Sequence, residues 1–389
     1  MADDGAIVPL PEMRAFVVRC MAAVGIPETD GGALAELLVA ADYRGHYSHG
    51  LNRLDMYITD TTSKTMATSG KPIVVKETVA TALVDGNNIL GPVVGKFCID
   101  LAIEKAKNAG IGWVTARRSN HFGIAGWYGI RAMEQGMIGM AFTNTSPLLV
   151  PTRAKESVLG TNPICVAAPG NHGDGFVLDM ATTAVALGKR VLGTNPICVA
   201  APGNHGDGFV LDMATTAVAV GKIELADRKE QPIPEGWALT PEGAPTKDPK
   251  QAEGLCPLGG AENTSGYKGY GLSMMVEIFC GIMGGAKYAH HVRKWKDPVQ
   301  NEANLGQCFV AIDPRAFADG FEDRMSDLID YCRNLQPAEE GVEVMVPGDP
   351  ERKHMAKCDQ QGGILYHPNQ IKFAHDIAAK LNIAPMKIL

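Results

Sequence analysis

Two short stretches of the 389-residue chain concentrate side chains that can exchange protons or grip anions. Arg44-Gly45-His46-Tyr47-Ser48-His49-Gly50 sets two imidazoles and a guanidinium around glycines, and Arg53 follows three residues after Gly50. If Gly50 opens a helix, Arg53 lies within a turn of His49. An arginine fork then clamps a carboxylate while an imidazole exchanges a proton near neutral pH. A satisfied polar helix cap accounts for the same residues without any chemistry. The second stretch, Ser119-Asn120-His121-Phe122-Gly123, follows an expected strand at 111–115, and strand ends are where α/β folds seat ligands. His121 serves there either as an acid–base group or as a hydrogen-bond partner of a nearby carbonyl.

Weaker signals lie downstream. Asn162-Pro163 and Asn195-Pro196 are rigid turns able to line a pocket, and residues 179–183 or 212–216 offer backbone and hydroxyl groups to a phosphate. Lys268, beside Gly269 at an expected helix start, either reinforces a positive helix end or is a surface cap. His290-His291, beside Arg293, Lys294 and Lys296, reads as a solvated face.

Several classes are excluded. The fingerprint G-x-G-x-x-G, the phosphate loop G-x-x-x-x-G-K-[ST] and the zinc motif H-E-x-x-H are all missing. With 36 basic and 43 acidic side chains the net charge is −7, and there is no basic stripe for nucleic acid. A small anionic ligand fits that balance better. The start lacks a basic segment followed by an apolar run, and no stretch reaches 18 uninterrupted apolar residues, so neither export nor a membrane span is expected and a cytoplasmic location is. Nine cysteines without a C-x-x-C pair read as reduced, mostly buried thiols.

The elements that must position these groups follow from periodicity. The chain exceeds the usual single-core limit of about 250 to 300 residues, which predicts two lobes and a cleft. Apolar rhythms predict helices around 13–20 and 33–41 and a third from 51 to 57, an all-helical start. Strands at 73–75 and 78–84, a helix at 93–106 ended by Gly110, a strand at 111–115, a helix at 125–134 and a strand at 137–142 read as α/β. Residues 226–266 read as loop with a possible edge strand at 237–239. Helix 271–283, strand 307–312 and helices 321–332 and 371–381 complete the chain.

Residues 158–186 recur without change as 191–219, and the 33-residue units 158–190 and 191–223 form a tandem duplication. Each copy predicts a strand, a turn, a second strand and a helix start. A solenoid needs at least three stacked units, so a repeat architecture is rejected, and one fold position cannot hold both copies.

Taken together, YSHG-xx-R at 47–53, SNHFG at 119–123, GTNP at 160–163, FVLDMATT at 176–183 and YKGYGL at 267–272 resemble the malate/L-lactate dehydrogenase family. That resemblance covers nearly the whole chain. It implies an α/β, non-Rossmann fold, with a mixed-sheet cofactor lobe at 71–310 that contains the duplication. A helical lobe is built from both chain ends, 1–70 and 311–389. It also implies an NAD-dependent or NADP-dependent enzyme interconverting a 2-hydroxy acid and a 2-oxo acid, without metal, as a homodimer or higher homo-oligomer. His49 and His121 are then the acid–base candidates, either able to lead, and Arg53, Asn144 and Thr145 the substrate ligands. The implied cofactor contacts are Asn120, Asn162, Pro163, Asp179, Met180, Thr182, Thr183, Asp212, Met213, Thr215, Thr216, Lys222, Lys268 and Gly269. An arginine-rich pocket tip suits malate. Lactate-like, ureido, sulfonated and cyclic imino acids are the alternatives, as is a noncatalytic cofactor-binding descendant disrupted by the duplication.

Overall fold

The computed structural model describes residues 5–147, 149–155, 158–160, 164–169, 175–180, 196–202, 208–214, 223, 226–227, 231–293 and 301–389. Two apolar cores define two lobes. In the first, the helix Leu10–Ala23 turns Met13, Phe16, Val17, Cys20 and Met21 inward, the i, i+3, i+4 spacing of one face. They meet Leu34, Ala35 and Leu38 of the helix Glu28–Tyr43, Leu54 and Tyr57 of the helix Leu54–Thr62, and Ile371, Ala374 and Ile377 of the helix Pro368–Leu381. The strand Ala6–Val8 pairs antiparallel with Ile364–Tyr366 and joins the chain ends. The helical lobe is therefore assembled from residues more than 300 positions apart.

The second lobe is a mixed sheet. Its consecutive strands are Ile73–Glu77, Thr81–Asp85, Ile111–Ser119, Leu305–Ile312 and Ile138–Thr143, followed by the strands of the duplicated units. Thr81–Asp85 and Ile111–Ser119 run parallel, linked by the helix Gly91–Ala109 with Gly110 as its left-handed cap. Leu305–Ile312 lies antiparallel between Ile111–Ser119 and Ile138–Thr143, so this late segment closes the centre of the sheet. Phe321 and Met325 of the helix Phe321–Arg333 also pack on this core, and the chain returns to the helical lobe only with the helix Asp349–Gln361. Ala238–Leu239 is the middle strand of a small three-stranded sheet, where the sequence suggests an edge.

Both copies of the duplication address the same edge in the same register. Met140 faces Val166 of the first copy, and Gly139 faces Ala200 of the second; Ala200 lies 33 residues after Ala167, which would be the next rung. Equivalent residues of the copies even face one another, Cys165 with Cys198 and Val177 with Val210. The units compete for one place in the sheet instead of stacking as layers. Among the described residues no helix is long and apolar enough to cross a membrane.

Candidate active site

The helix Glu28–Tyr43 ends in a segment that folds back on it: His46 N–H donates to the Ala41 carbonyl and His49 N–H to the His46 carbonyl, both at 2.8 Å. Ser48 Oγ lies 2.9 Å from His49 Nδ1. The short turn Leu51–Arg53 then places Arg53, and Leu54–Thr62 continues from it. His49 and Arg53 are both buried.

The other half comes from the end of Ile111–Ser119. Gln307 on the neighbouring strand donates from Nε2 to the Asn120 carbonyl and accepts from Ser119 Oγ. Asn120 Nδ2 donates to Asn88 Oδ1 and the Ile89 carbonyl, and Tyr128 Oη donates to the Phe122 carbonyl at 2.6 Å. Gly91, at the start of its helix, sits so close that a Cβ there would lie 2.2 Å from the His121 carbonyl oxygen. Gly123, with φ +77°, faces Leu37 of the helical lobe at a distance that leaves a Cβ only 2.3 Å. The loop is thus held between the two lobes by its own main chain.

The lobes bring the histidines together. The His49 and His121 rings are nearly parallel, 13° apart in plane, with centroids 6.2 Å apart. Tyr57 Oη lies 2.7 Å from His121 Nδ1, and the Gly123 N–H also points to that nitrogen. Burial, and secondarily the positive charge of Arg53, pushes the His121 pKa down to about 3, so the ring is neutral at ordinary pH. The Gly123 N–H can only donate, so Nδ1 is the bare, accepting nitrogen and the neutral ring carries its proton on Nε2.

Asn144 and Thr145 follow the strand Ile138–Thr143 and are buried. The amide of Asn144 is taken up as a brace: Nδ2 donates to Glu277 Oε2 and the Lys287 carbonyl, and Oδ1 accepts from Gly306 N–H. It shapes the floor under Thr145, so its amide is committed to the protein. Next to it, Ser146 Oγ donates to the Arg293 carbonyl, and the Arg293 guanidinium donates from Nη2 to both oxygens of Asp60 at 2.9 Å. That buried ion pair ties the Thr145 segment to the helix that carries Tyr57.

The residues here fit a nicotinamide group. Asn120 Oδ1 is buried and has no hydrogen-bond partner, an acceptor suited to a carboxamide N–H, and it lies in the loop that carries His121. Lys268 is exposed in the first turn of the helix Gly266–Glu277, and Gly269 packs against the backbone of Leu258. Asp179 and Met180 end the strand Gly175–Met180, and Asp212 and Met213 lie in Gly208–Ala214. Asn162, Pro163, Thr182, Thr183, Thr215, Thr216 and Lys222 lie outside the described residues. Among the described residues no group of three His, Cys, Asp or Glu is placed to hold a metal.

Tyr57 is the participant that periodicity hides, because it occupies an apolar position of its helix. Its signal is a buried hydroxyl that needs a partner.

Comparison with known proteins places the chain in a family. The malate/L-lactate dehydrogenase family matches residues 8–191 and 189–373. A malate dehydrogenase of Pyrococcus abyssi is 37% identical over 350 residues, covering 88% of this chain and 86% of its own. An L-sulfolactate dehydrogenase of Methanocaldococcus jannaschii is 38% identical over 348 residues, covering 88% and 89%. The solved structure of malate dehydrogenase from Pyrococcus horikoshii superimposes with a TM-score of 0.81 at 33% identity, over 98% of this chain and 97% of that one.

Proposed function

Because the chain belongs to the malate/L-lactate dehydrogenase family, we propose that its substrate is a small 2-hydroxy acid carrying a second acidic group, malate or a sulfonated analogue, and the corresponding 2-oxo acid. At the coarser level it is an NAD(P)-dependent oxidoreductase interconverting 2-hydroxy and 2-oxo acids. The sequence favours malate narrowly among several 2-hydroxy acids, and relatives named for malate, sulfolactate and ureidoglycolate span that wider range; the malate and sulfolactate relatives, at the higher identities, support the doubly acidic part of it.

The observation that carries the mechanism is the His49–His121–Tyr57 arrangement beside Arg53. A bound nicotinamide would supply hydride to the carbonyl carbon, or take it from the alcohol carbon. Asn120 would hold its carboxamide, and Arg53 clamps the acid group through its fork. In the oxidation direction the hydroxyl proton passes to His49, while the neutral His121, whose Nδ1 accepts from Gly123 N–H, donates a hydrogen bond from Nε2–H to the substrate oxygen. In the reduction direction His49 returns that proton to the developing alkoxide, and the neutral His121 stabilises the oxygen from Nε2–H. Thr145 offers a further hydroxyl to the substrate.

A homodimer also fits. Met274, Ile278 and Ile282 are exposed at four-residue spacing along one helix face, with Tyr267 and Met283 beside them. Light scattering on the purified chain is expected to return twice the monomer mass.

The test of activity follows NADH and NADPH oxidation with oxaloacetate, sulfopyruvate and pyruvate. The expected order places the two doubly acidic substrates at least tenfold above pyruvate in kcat/KM. Pyruvate as the best substrate would overturn the substrate class, and no turnover with any 2-oxo acid would overturn the reading as a whole.

A further inference from the structure

One buried carboxylate belongs to no step of that mechanism. Asp42, the penultimate residue of the helix Glu28–Tyr43, is fully buried directly beneath the loop that ends in Ser48 and His49. Its Oδ2 accepts from the Leu51 N–H at 2.8 Å and from Tyr366 Oη at 2.6 Å. Its Oδ1 is buried and has no hydrogen-bond partner. The carboxylate lies flat on the backbone of Gly50, where any Cβ would come within 1.9 Å of Oδ1. Leu51 is two residues from His49 and two from Arg53, and it opens the turn that aims the guanidinium. Gly50, between them, also receives the Arg53 N–H at its carbonyl.

We infer that Asp42 is the positioning residue of this enzyme's helical half-site: its carboxylate pins Gly50 and Leu51, and through them fixes the approach of His49 and Arg53 to His121. Tyr366 is the second part of the device. It comes from the strand Ile364–Tyr366, so the C-terminal segment reaches the substrate clamp through one hydrogen bond. This rests on the dehydrogenase reading for its kinetic consequences but not for its geometry.

The groups around the carboxylate support an anchoring part. His46 from the loop, Tyr366 from the strand and Cys358 from the helix Asp349–Gln361 interact with it electrostatically. Tyr47 and His354 pack behind them, with Tyr47 Oη 3.2 Å from His354 Nε2, and His46 faces Glu351 at 3.8 Å. Burial raises Asp42 to about 7, while the bonds from Tyr366 and Leu51 pull it the other way. A buried carboxyl with two donors on one oxygen and a glycine backbone against the other is retained at a cost in stability. Positional control over the loop that follows accounts for it.

The test compares Asp42→Asn, Tyr366→Phe and the double variant in the full-length enzyme. Steady-state kinetics are measured alongside NMR titration of the ring of His49. The Asp42→Asn change keeps one acceptor oxygen but sets an amide N–H2 against Gly50. It is expected to lower kcat tenfold or more and raise KM for the 2-oxo acid severalfold, with KM for NADH unchanged. The His49 titration is expected to move by at least half a pH unit. Tyr366→Phe is expected to lose three- to fivefold, and the double variant no more than Asp42→Asn alone, because both act through one oxygen. Unchanged kcat and His49 titration in Asp42→Asn would overturn the inference, as would losses that track only the folded fraction. If Asp42→Asn does not fold, Tyr366→Phe decides: a wild-type His49 titration in it counts against the pin. The titration also separates the two readings, since it moves or stays fixed whether or not the enzyme turns over a 2-oxo acid.

Discussion

The loop 119–123 and the loop 43–53 meet at the same place but are held in opposite ways. The first is fixed through its main chain: the Asn120 and Phe122 carbonyls are engaged by Gln307 and Tyr128, and Gly91 and Gly123 allow neighbours to press on the backbone. The second closes on itself with hydrogen bonds from His46 and His49 and is held from outside mainly through side chains: Asp42 under Gly50 and Leu51, Tyr47 on the Leu365 carbonyl, and His46 facing Glu351. The α/β lobe therefore supplies a histidine held through its backbone, and the helical lobe supplies one held through side chains together with Arg53, the proposed anion clamp. Damage to the first loop should appear as lost folding. Damage to the second should appear as lost catalysis in a folded protein.

The largest effect should come from the side held through its backbone. Gly91→Val places carbon where the His121 carbonyl already stands, and overpacking of this kind costs about 3 kcal/mol. Urea unfolding measures it; a loss below about 1 kcal/mol would show that this loop is as yielding as the other. Next, Arg53→Lys removes the fork from a buried clamp. KM for the 2-oxo acid should rise ten- to a hundredfold, roughly 1.4 to 3 kcal/mol, while NADH binding and thermal stability stay put. A fall in melting temperature matching the kinetic loss would erase the distinction.

Acid and base separate the loops by sign. His121 has its folded pKa depressed to about 3 from 6.5, so its contribution to stability is complete above 6.5 and is lost as pH falls toward 3. Asp42 has its folded pKa raised to about 7 from 3.8, so its contribution is complete below 3.8 and is lost as pH rises through 7. Each limb approaches about 1.4 kcal/mol per pH unit for one proton. Stability–pH curves of His121→Asn and Asp42→Asn should each lose the slope that its sign dictates: the first should flatten a rise with pH, the second a fall. The smallest effect belongs to Tyr128→Phe, which removes one neutral hydrogen bond from the backbone-held loop and should cost about 1 kcal/mol with kcat nearly unchanged.

Much of the candidate site is legible in the sequence because its residue types cluster locally. His49, Arg53 and His121 stand out by residue type and by their place at a helix tip and a strand end, and the apolar rhythm located the helices that carry them. What stayed hidden is long-range. Tyr57 sits in an apolar stripe, and nothing local says that its hydroxyl meets a histidine 64 residues away. Asp42 acquires its second donor from Tyr366, 324 residues on. The pair Ala6–Val8 and Ile364–Tyr366 is three residues long on each side, too short for alternation to register. The helix Asp349–Gln361 is absent from the sequence reading because it is almost wholly polar, with Cys358 its one buried residue. Asn144 was read as a ligand from its place beside Thr145; its amide braces Glu277 and Gly306.

On the proposed mechanism, catalysis depends on the two loops forming one unit across the lobes. The most direct measurement is a double-mutant cycle on kcat/KM with His49→Gln and His121→Gln. The predicted result is a loss of at least a hundredfold in each single variant and a double variant no more than about tenfold below the worse single. Losses that multiply independently, or full activity in either single variant, would contradict it.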